Sequence, residues 1–252
     1  MYKNYTSHKI KFDKVVEEDS LTKAESSSLQ GVILESAKNI ANVLKRTNQI
    51  YENAVGGLAT QKISALKKSK KQVIKLTSEV DDLRDNIFFF IKNLDESSVE
   101  ASGFYINILG YLQDITQSLE YISKMSYKHV NNNHKKLKFN QVKELKEIYD
   151  KLEILFMDTQ NAFKTGAFEE IGVIIKEKKE VYDLVKSKIQ SQVNRTRTEE
   201  SNPKNTALYF SVLLETKDLI NAIMNLLEEY HNAHDSSIVP ATISTGDKSG
   251  DK

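Results

Sequence analysis

Four carboxylates lie within seven consecutive residues, and they are the side chains of this sequence best suited to do chemistry. They are Glu79, Asp81, Asp82 and Asp85. On a helix, members of this group spaced three or four positions apart lie on one face. Only Arg84 is close enough in sequence to offset their repulsion. Such a cluster either points into water or binds a hard cation such as Mg, Ca, Mn or Fe.

None of the common active-site motifs accompanies these acids. The sequence has no G-x-S-x-G, no H-E-x-x-H and no glycine-rich phosphate loop followed by Lys. It also lacks Cys, which excludes thiol catalysis, disulfides and thiolate zinc sites. We therefore expect a protein that is not an enzyme.

Charge and hydropathy narrow the classes of partner. The 36 basic and 35 acidic residues give a net charge of +1, so no overall positive field favours nucleic acid. The longest apolar run, around residues 87–91, is too short to span a bilayer. No signal-peptide hydrophobic region follows Met1. These features predict a soluble protein with no nucleic-acid partner.

Long amphipathic helices must position the acids. Only 9 Gly and 2 Pro occur in 252 residues, which is typical of long helices rather than sheets. Apolar residues recur every three or four positions through six segments. The first predicted helix begins near residues 26–28 and ends at Gly56 and Gly57, and the second runs unbroken over 58–94. The others are predicted from a corner at 95–98 to residue 131, and over 139–165, 168–193 and 208–230, with Pro203 in a turn.

One helical module occurs twice in the sequence. Residues 78–83 read SEVDDL and residues 179–184 read KEVYDL, about a hundred positions later. In the helix that follows each, a Tyr precedes an Asp by nine positions, as Tyr105 and Asp114 and again as Tyr209 and Asp218. A long fixed period indicates a duplicated packing unit. The predicted fold is all-α: two tandem antiparallel three-helix bundles, over residues 26–133 and 134–234.

The two ends differ from the bundles. Residues 1–25 form a predicted flexible leader that is basic and aromatic, with Lys3, Lys9, Lys11, Lys14, Tyr2, Tyr5 and Phe12. Such a composition suits the cytoplasmic face of a membrane, and a flexible N-terminus with no membrane role is the alternative. The tail, residues 235–252, is rich in Ser, Thr, Gly and Asp and is predicted to be disordered.

Two helical bundles with an acidic element on their second helices resemble the PhoU family. The stretch that carries the likeness is Glu79-Val80-Asp81-Asp82-Leu83-Arg84-Asp85, with Asp81 and Asp85 as motif acids. The resemblance covers roughly residues 27–233. It implies that Asp114 and Asp218 are the first acids of partner motifs, but Ser118 and Ala222 stand where the family has a second Asp.

The resemblance implies a metal site in the first module. In PhoU proteins these motifs hold metal clusters, whereas here Lys179 and Lys186 replace acids in the second module. A divalent or ferric ion is therefore expected once, near Asp81. The candidate ligands are Asp81, Asp85, Glu79, Asp82 and Asp114.

The resemblance also implies a function in phosphate homeostasis. The chain is expected to be a cytoplasmic regulatory domain at the inner face of the membrane, associated with inorganic phosphate transport. Its expected partner is a membrane phosphate transporter, and the leader resembles the junction found where both are one polypeptide. The alternative is a helical scaffold or dimerisation module with no ligand, and formation of a homodimer is left open.

Overall fold

The computed structural model describes residues 20–94, 99–198 and 202–234, which are mostly helical and contain no strand. Most of the predicted leader, the corner at 95–98 and the predicted tail lie outside the described residues. The all-α prediction is confirmed. The long helices are α1 (Leu29–Thr60), α2 (Ile63–Asp85), α4 (Val99–Asn131), α5 (Phe139–Thr165), α6 (Ile171–Thr198) and α7 (Pro203–His234), and the short helix α3 (Ile87–Lys92) follows α2.

The first helix continues beyond the predicted stop at Gly56 and Gly57. It ends one turn later, where Gln61 takes the left-handed conformation with φ 55°, and the Lys62 N–H donates to the Gly57 carbonyl at 2.9 Å. Gly57 is needed for close packing instead, because a Cβ there would lie 2.9 Å from the Leu66 side chain. Gly57 therefore marks a tight contact between α1 and α2.

The second helix, in contrast, is shorter than predicted. A turn at Asn86, with φ −85° and ψ −3°, separates α2 from α3. The turn directs Phe90 into the core, where its ring centroid lies 4.3 Å from that of Tyr105. Phe88 and Phe89 remain exposed to solvent. The burial of Phe90 against Tyr105 thus accompanies a break between α2 and α3, where the sequence predicted one continuous helix.

The helix boundaries in the second half lie at residues that favour helix ends, a glycine and a proline. Gly166 ends α5 in the left-handed conformation with φ 73°, as predicted. Pro203, predicted to lie in a turn, is the first residue of α7, a position that suits proline because its missing N–H would have no partner there. A single 3-10 turn, Phe168–Glu170, precedes α6.

The two bundles pack on each other through equivalent helices. The first bundle consists of α1, α2 and α4 and the second of α5, α6 and α7, while α1 packs on α5 and α4 on α7. Phe104 contacts Tyr230, whereas Ser118, fourteen residues later on α4, hydrogen-bonds with Glu215, fifteen residues earlier on α7, so α4 and α7 are antiparallel. One continuous apolar core spans both bundles.

The last residues of the predicted leader are bound to the first bundle. The Thr22 N–H donates to Asn39 Oδ1 at 2.9 Å, and Asn39 Nδ2 donates to the Thr22 carbonyl at 2.7 Å. The Leu21 N–H donates to a Glu79 oxygen. The described part of the chain contains no helix with the length and apolar character needed to cross a membrane.

Candidate functional site

Glu79 is an internal ion-pair partner in this structure. Its two oxygens accept from the Arg46 guanidinium at 2.7 and 3.1 Å, and one of them also accepts from the Leu21 N–H at 3.1 Å. Burial alone would raise the pKa of Glu79, but these hydrogen bonds and the Arg46 charge outweigh it and lower the pKa. The arrangement joins α1, α2 and the segment before α1, which is a structural role.

The other three acids on α2 are exposed. The carboxylate of Asp81 lies 3.7 Å from Arg84 on the same helix, with about half of the Asp81 side chain exposed. Asp82 and Asp85 also face solvent. These three carboxylates form an acidic surface near the end of α2, the helix that precedes the exposed rings of α3 in the sequence.

Asp114 occupies a different place, in a groove between α4 and α7. The groove measures about 420 Å³. Its polar lining includes Asp114, Gln117, Ser118, Glu215, Asp218 and Asn221. The two Asp residues at equivalent positions of the sequence repeat therefore line one surface.

Negative charge is concentrated in this groove, and two of its acids, Asp114 and Glu215, are harder to ionise than in water. Burial raises the pKa of Asp114. Burial and the neighbouring Asp218 raise the pKa of Glu215, although a hydrogen bond with Ser118 partly offsets the rise. The groove can accept a positively charged group, which would relieve this repulsion.

The predicted metal ligands are not assembled into one site. Glu79 faces Arg46, three acids of α2 face solvent, and Asp114 lies in the groove beside α7. Across residues 20–94, 99–198 and 202–234, no three Asp, Glu or His side chains are grouped closely enough to hold a metal ion. The donor set in the described chain does not fit a metal centre, and metal binding near Asp81 stays a prediction.

Two ionic features, one partly buried and one fully buried, were not identified from sequence. Arg195 of α6 donates to Glu144 of α5 from its two terminal guanidinium nitrogens, at 2.6 and 2.9 Å, and the Tyr209 hydroxyl donates to the same carboxylate. Lys178 lies fully buried on α6. Burial lowers the pKa of Lys178 well below its usual value, and Glu228 opposes this only in part.

The sequence spacing on α6 predicts that Lys178 is buried, but it does not predict the partner of Arg195. Ile171, Ile174, Lys178, Val181 and Val185 follow the three-and-four spacing of a buried helical stripe. Lys178 therefore stands at a core position. The partner of Arg195, by contrast, is 51 residues away in sequence, so no local pattern identifies it.

Comparison with known proteins gives one structural likeness. No protein-family model matches the sequence, and neither does any curated protein. The crystal structure of the phosphate transport system regulatory protein PhoU from Streptococcus pneumoniae matches with a TM-score of 0.64 and 13% sequence identity. The match covers 82% of this chain and 95% of that one. The protein therefore has a PhoU-like fold, as its sequence predicted.

Proposed function

We propose that this protein is a regulatory partner of an inorganic phosphate transporter and acts through contacts rather than catalysis. The observation that carries the proposal is the PhoU-like fold over 82% of the chain, shared with a protein described as a phosphate transport system regulator. The transporter would be a membrane protein, and this domain would lie at the cytoplasmic face of the membrane.

The α3 end of the first bundle supports such contacts. Phe88 is 67% exposed and Phe89 is 60% exposed. Ile91 is also exposed on the same short helix. Large aromatic side chains left in water are unfavourable, and a grouped set of them is typical of interaction surfaces.

The charge beside these rings favours a basic partner. Asp81, Asp82 and Asp85 are exposed on α2, immediately before α3. Cytoplasmic loops of membrane proteins carry an excess of Lys and Arg. The acids that border this apolar end are therefore complementary in charge to such a loop.

Phosphate uptake tests the proposal. In cells that carry the protein, deletion of residues 20–234 should change the rate or the phosphate dependence of uptake. The double variant Phe88→Ser with Phe89→Ser should reproduce the change without unfolding the protein, because both rings are exposed. Ile154→Ser is the matched control, since Ile154 is a 61% exposed apolar residue on α5. Unchanged uptake in the deletion strain would contradict the proposal.

A further inference from the structure

A groove between α5 and α6 carries large apolar side chains that are exposed to solvent. It measures about 220 Å³, and its lining includes Ile154 of α5 and Val181 of α6. Met157 follows Ile154 by three positions, and Val173 precedes Glu177 of the lining by four, so both lie on the helix faces that border the groove. Ile154, Met157 and Val173 are each more than half exposed. A grouped set of apolar side chains left in water indicates a surface that another segment covers.

The size of this apolar surface favours a short segment over a second copy of the chain. Specific interfaces between proteins bury roughly 800 Å² on each partner. Three exposed side chains beside a groove of about 220 Å³ supply much less than this area. A few residues of extended chain, in contrast, fit between two helices.

The first bundle shows how such a segment is held. Residues 21–26 are not helical and lie against α1 and α2, the helices that correspond to α5 and α6 in the repeated module. The Leu21 N–H donates to a Glu79 carboxylate oxygen at 3.1 Å. Glu35 accepts from two further N–H groups of the segment, at 2.9 and 3.1 Å. The side chains of Leu21 and Ala24 pack against the apolar core.

The groove of the second bundle offers the same two components. Glu177 and Glu180 of α6 are exposed and belong to its lining, so their carboxylates can accept from backbone N–H groups. Ile154 and Val181 supply the apolar floor beside them. The groove is therefore suited to a non-helical segment with apolar side chains.

The chain leaves α7 beside one end of this groove. The His234 ring centroid lies 5.0 Å from that of Phe168, and a Cβ at Gly172 would lie 4.0 Å from the His231 ring. Phe168 and Gly172 belong to the turn and the first residues with which α6 begins. Glu180 is eight residues further along α6, which is about 12 Å by the helix rise.

The sequence after His234 contains an apolar segment at a suitable distance. Residues 238–243 read IVPATI, whereas the rest of 235–252 consists of Ser, Thr, Gly, Asp and Lys. At about 3.3 Å per residue, an extended chain lets residue 238 lie up to about 13 Å from His234 and residue 243 up to about 30 Å. The segment can therefore reach from the end of the groove past Glu180. It carries no charge, so burial leaves no ion unpaired.

We infer that residues 238–243 occupy the groove between α5 and α6 of the same chain, in the way that residues 21–26 occupy α1 and α2. The apolar side chains of the segment cover Ile154, Met157 and Val173, and carboxylates of α6 accept from its N–H groups. The inference goes beyond the uptake proposal and places no transporter contact at this groove.

Thiol labelling of the purified full chain with N-ethylmaleimide tests this contact, because the native sequence contains no Cys. Met157→Cys places a thiol beside the groove, and Ile74→Cys places one at a similarly exposed position of α2. The combined tail changes Ile238→Ser, Val239→Ser and Ile243→Ser should speed labelling of Met157→Cys about tenfold, because a groove occupied nine-tenths of the time is open for one-tenth of it. Labelling of Ile74→Cys should not change.

The matched tail control combines Ser236→Thr, Ser237→Thr and Thr242→Ser, which keeps the apolar side chains and should leave labelling of Met157→Cys slow. Equal labelling of Met157→Cys with the native and the apolar-depleted tails would overturn the inference. Protection that grows with protein concentration would show that the occupant belongs to a second chain, and would overturn it as well. Thermal melting should show that each variant is folded, because both thiol positions are exposed. None of these results bears on the uptake proposal, which is measured in cells and for which Ile154→Ser remains the control.

Discussion

Lys178 and Arg46 are both removed from water, but only Arg46 has its charge compensated by an ion pair. The Arg46 side chain is 2% exposed and forms a bidentate pair with Glu79. Lys178 is fully buried, and within the described residues its Nζ has no hydrogen-bond partner. An unpaired ammonium group in an apolar core favours the neutral form, so Lys178 lowers the stability of the fold.

We expect Lys178→Met to stabilise the protein at pH 7 by about 1–3 kcal/mol, because it removes an unsatisfied buried polar group. Burial lowers the pKa of Lys178 in the folded protein, so the unfolded chain binds the proton more readily. The free energy of unfolding of the native sequence should therefore rise with pH, from the lowered folded pKa up to the usual Lys value. Lys178→Met should lose this rise, as measured by urea unfolding at several pH values.

The matched control is Lys179→Met, because Lys179 is the next residue on α6 and is exposed. Its effect on the free energy of unfolding should stay within about 0.5 kcal/mol. Equal stabilisation by both changes would show that general hydrophobicity, rather than the buried amine, is responsible.

At the scale of elements, two adjacent glycines in α1 have different surroundings. A Cβ at Gly57 would approach the Leu66 side chain at 2.9 Å and the Ala65 Cβ at 3.2 Å. A Cβ at Gly56 would meet nothing within 4 Å. Gly57 therefore allows α2 to pack closely against the end of α1, whereas Gly56 contributes only helix flexibility.

We expect the same substitution at these two positions to have opposite effects. Gly56→Ala should raise the free energy of unfolding by about 0.5–1 kcal/mol through helix propensity. Gly57→Ala should lower it by about 1 kcal/mol or more, because overpacking against the buried Leu66 exceeds the propensity gain. Chemical denaturation of both variants measures the difference, and stabilisation by Gly57→Ala would contradict the close contact.

Helix periodicity predicted most of the elements but not every boundary. The stripes that place Val80 and Leu83 in the core follow directly from their spacing. Periodicity did not predict the turn at Asn86, because that turn depends on the contact between Phe90 and Tyr105. It also did not distinguish a glycine that ends a helix from one that admits a neighbouring helix.

The candidate site could be predicted only in part for a similar reason. Sequence spacing places Glu79 and Asp82 on one helix turn, but Glu79 contacts Arg46 while Asp82 faces solvent. That difference depends on where α1 packs, which no local pattern specifies. The equivalence of Asp114 and Asp218, in contrast, was visible as a repeat and reappears as two residues lining one groove.

At the scale of the whole molecule, the two bundles are joined by buried contacts. The hydroxyls of Tyr51 and Thr216 share a hydrogen bond of 2.9 Å, and the Tyr230 hydroxyl donates to the Ile33 carbonyl at 3.1 Å. Both bonds join α1 of the first bundle to α7 of the second. Separation of the bundles would expose the apolar residues of a continuous core.

We therefore expect residues 20–234 to unfold in one cooperative step. Circular dichroism and calorimetry should give a single transition, with calorimetric and van't Hoff enthalpies in agreement. An isolated fragment of residues 20–133 should be much less stable than the full chain, because it loses the faces that pack on α5 and α7. Two resolved transitions, or a fragment as stable as the whole, would contradict this expectation.

The antiparallel pairing of α4 with α7 makes the inside of this chain resemble a two-fold symmetric dimer. In an isologous interface each residue near the axis meets its own equivalent, and here Asp114 and Asp218 line the groove from opposite helices. In a homodimer of one such module, an acid at this position would face a copy of itself. Duplication within one chain removes that constraint, because each copy can change alone. The protein can therefore adjust the charge of the groove one residue at a time, which a homodimer of identical modules could not do.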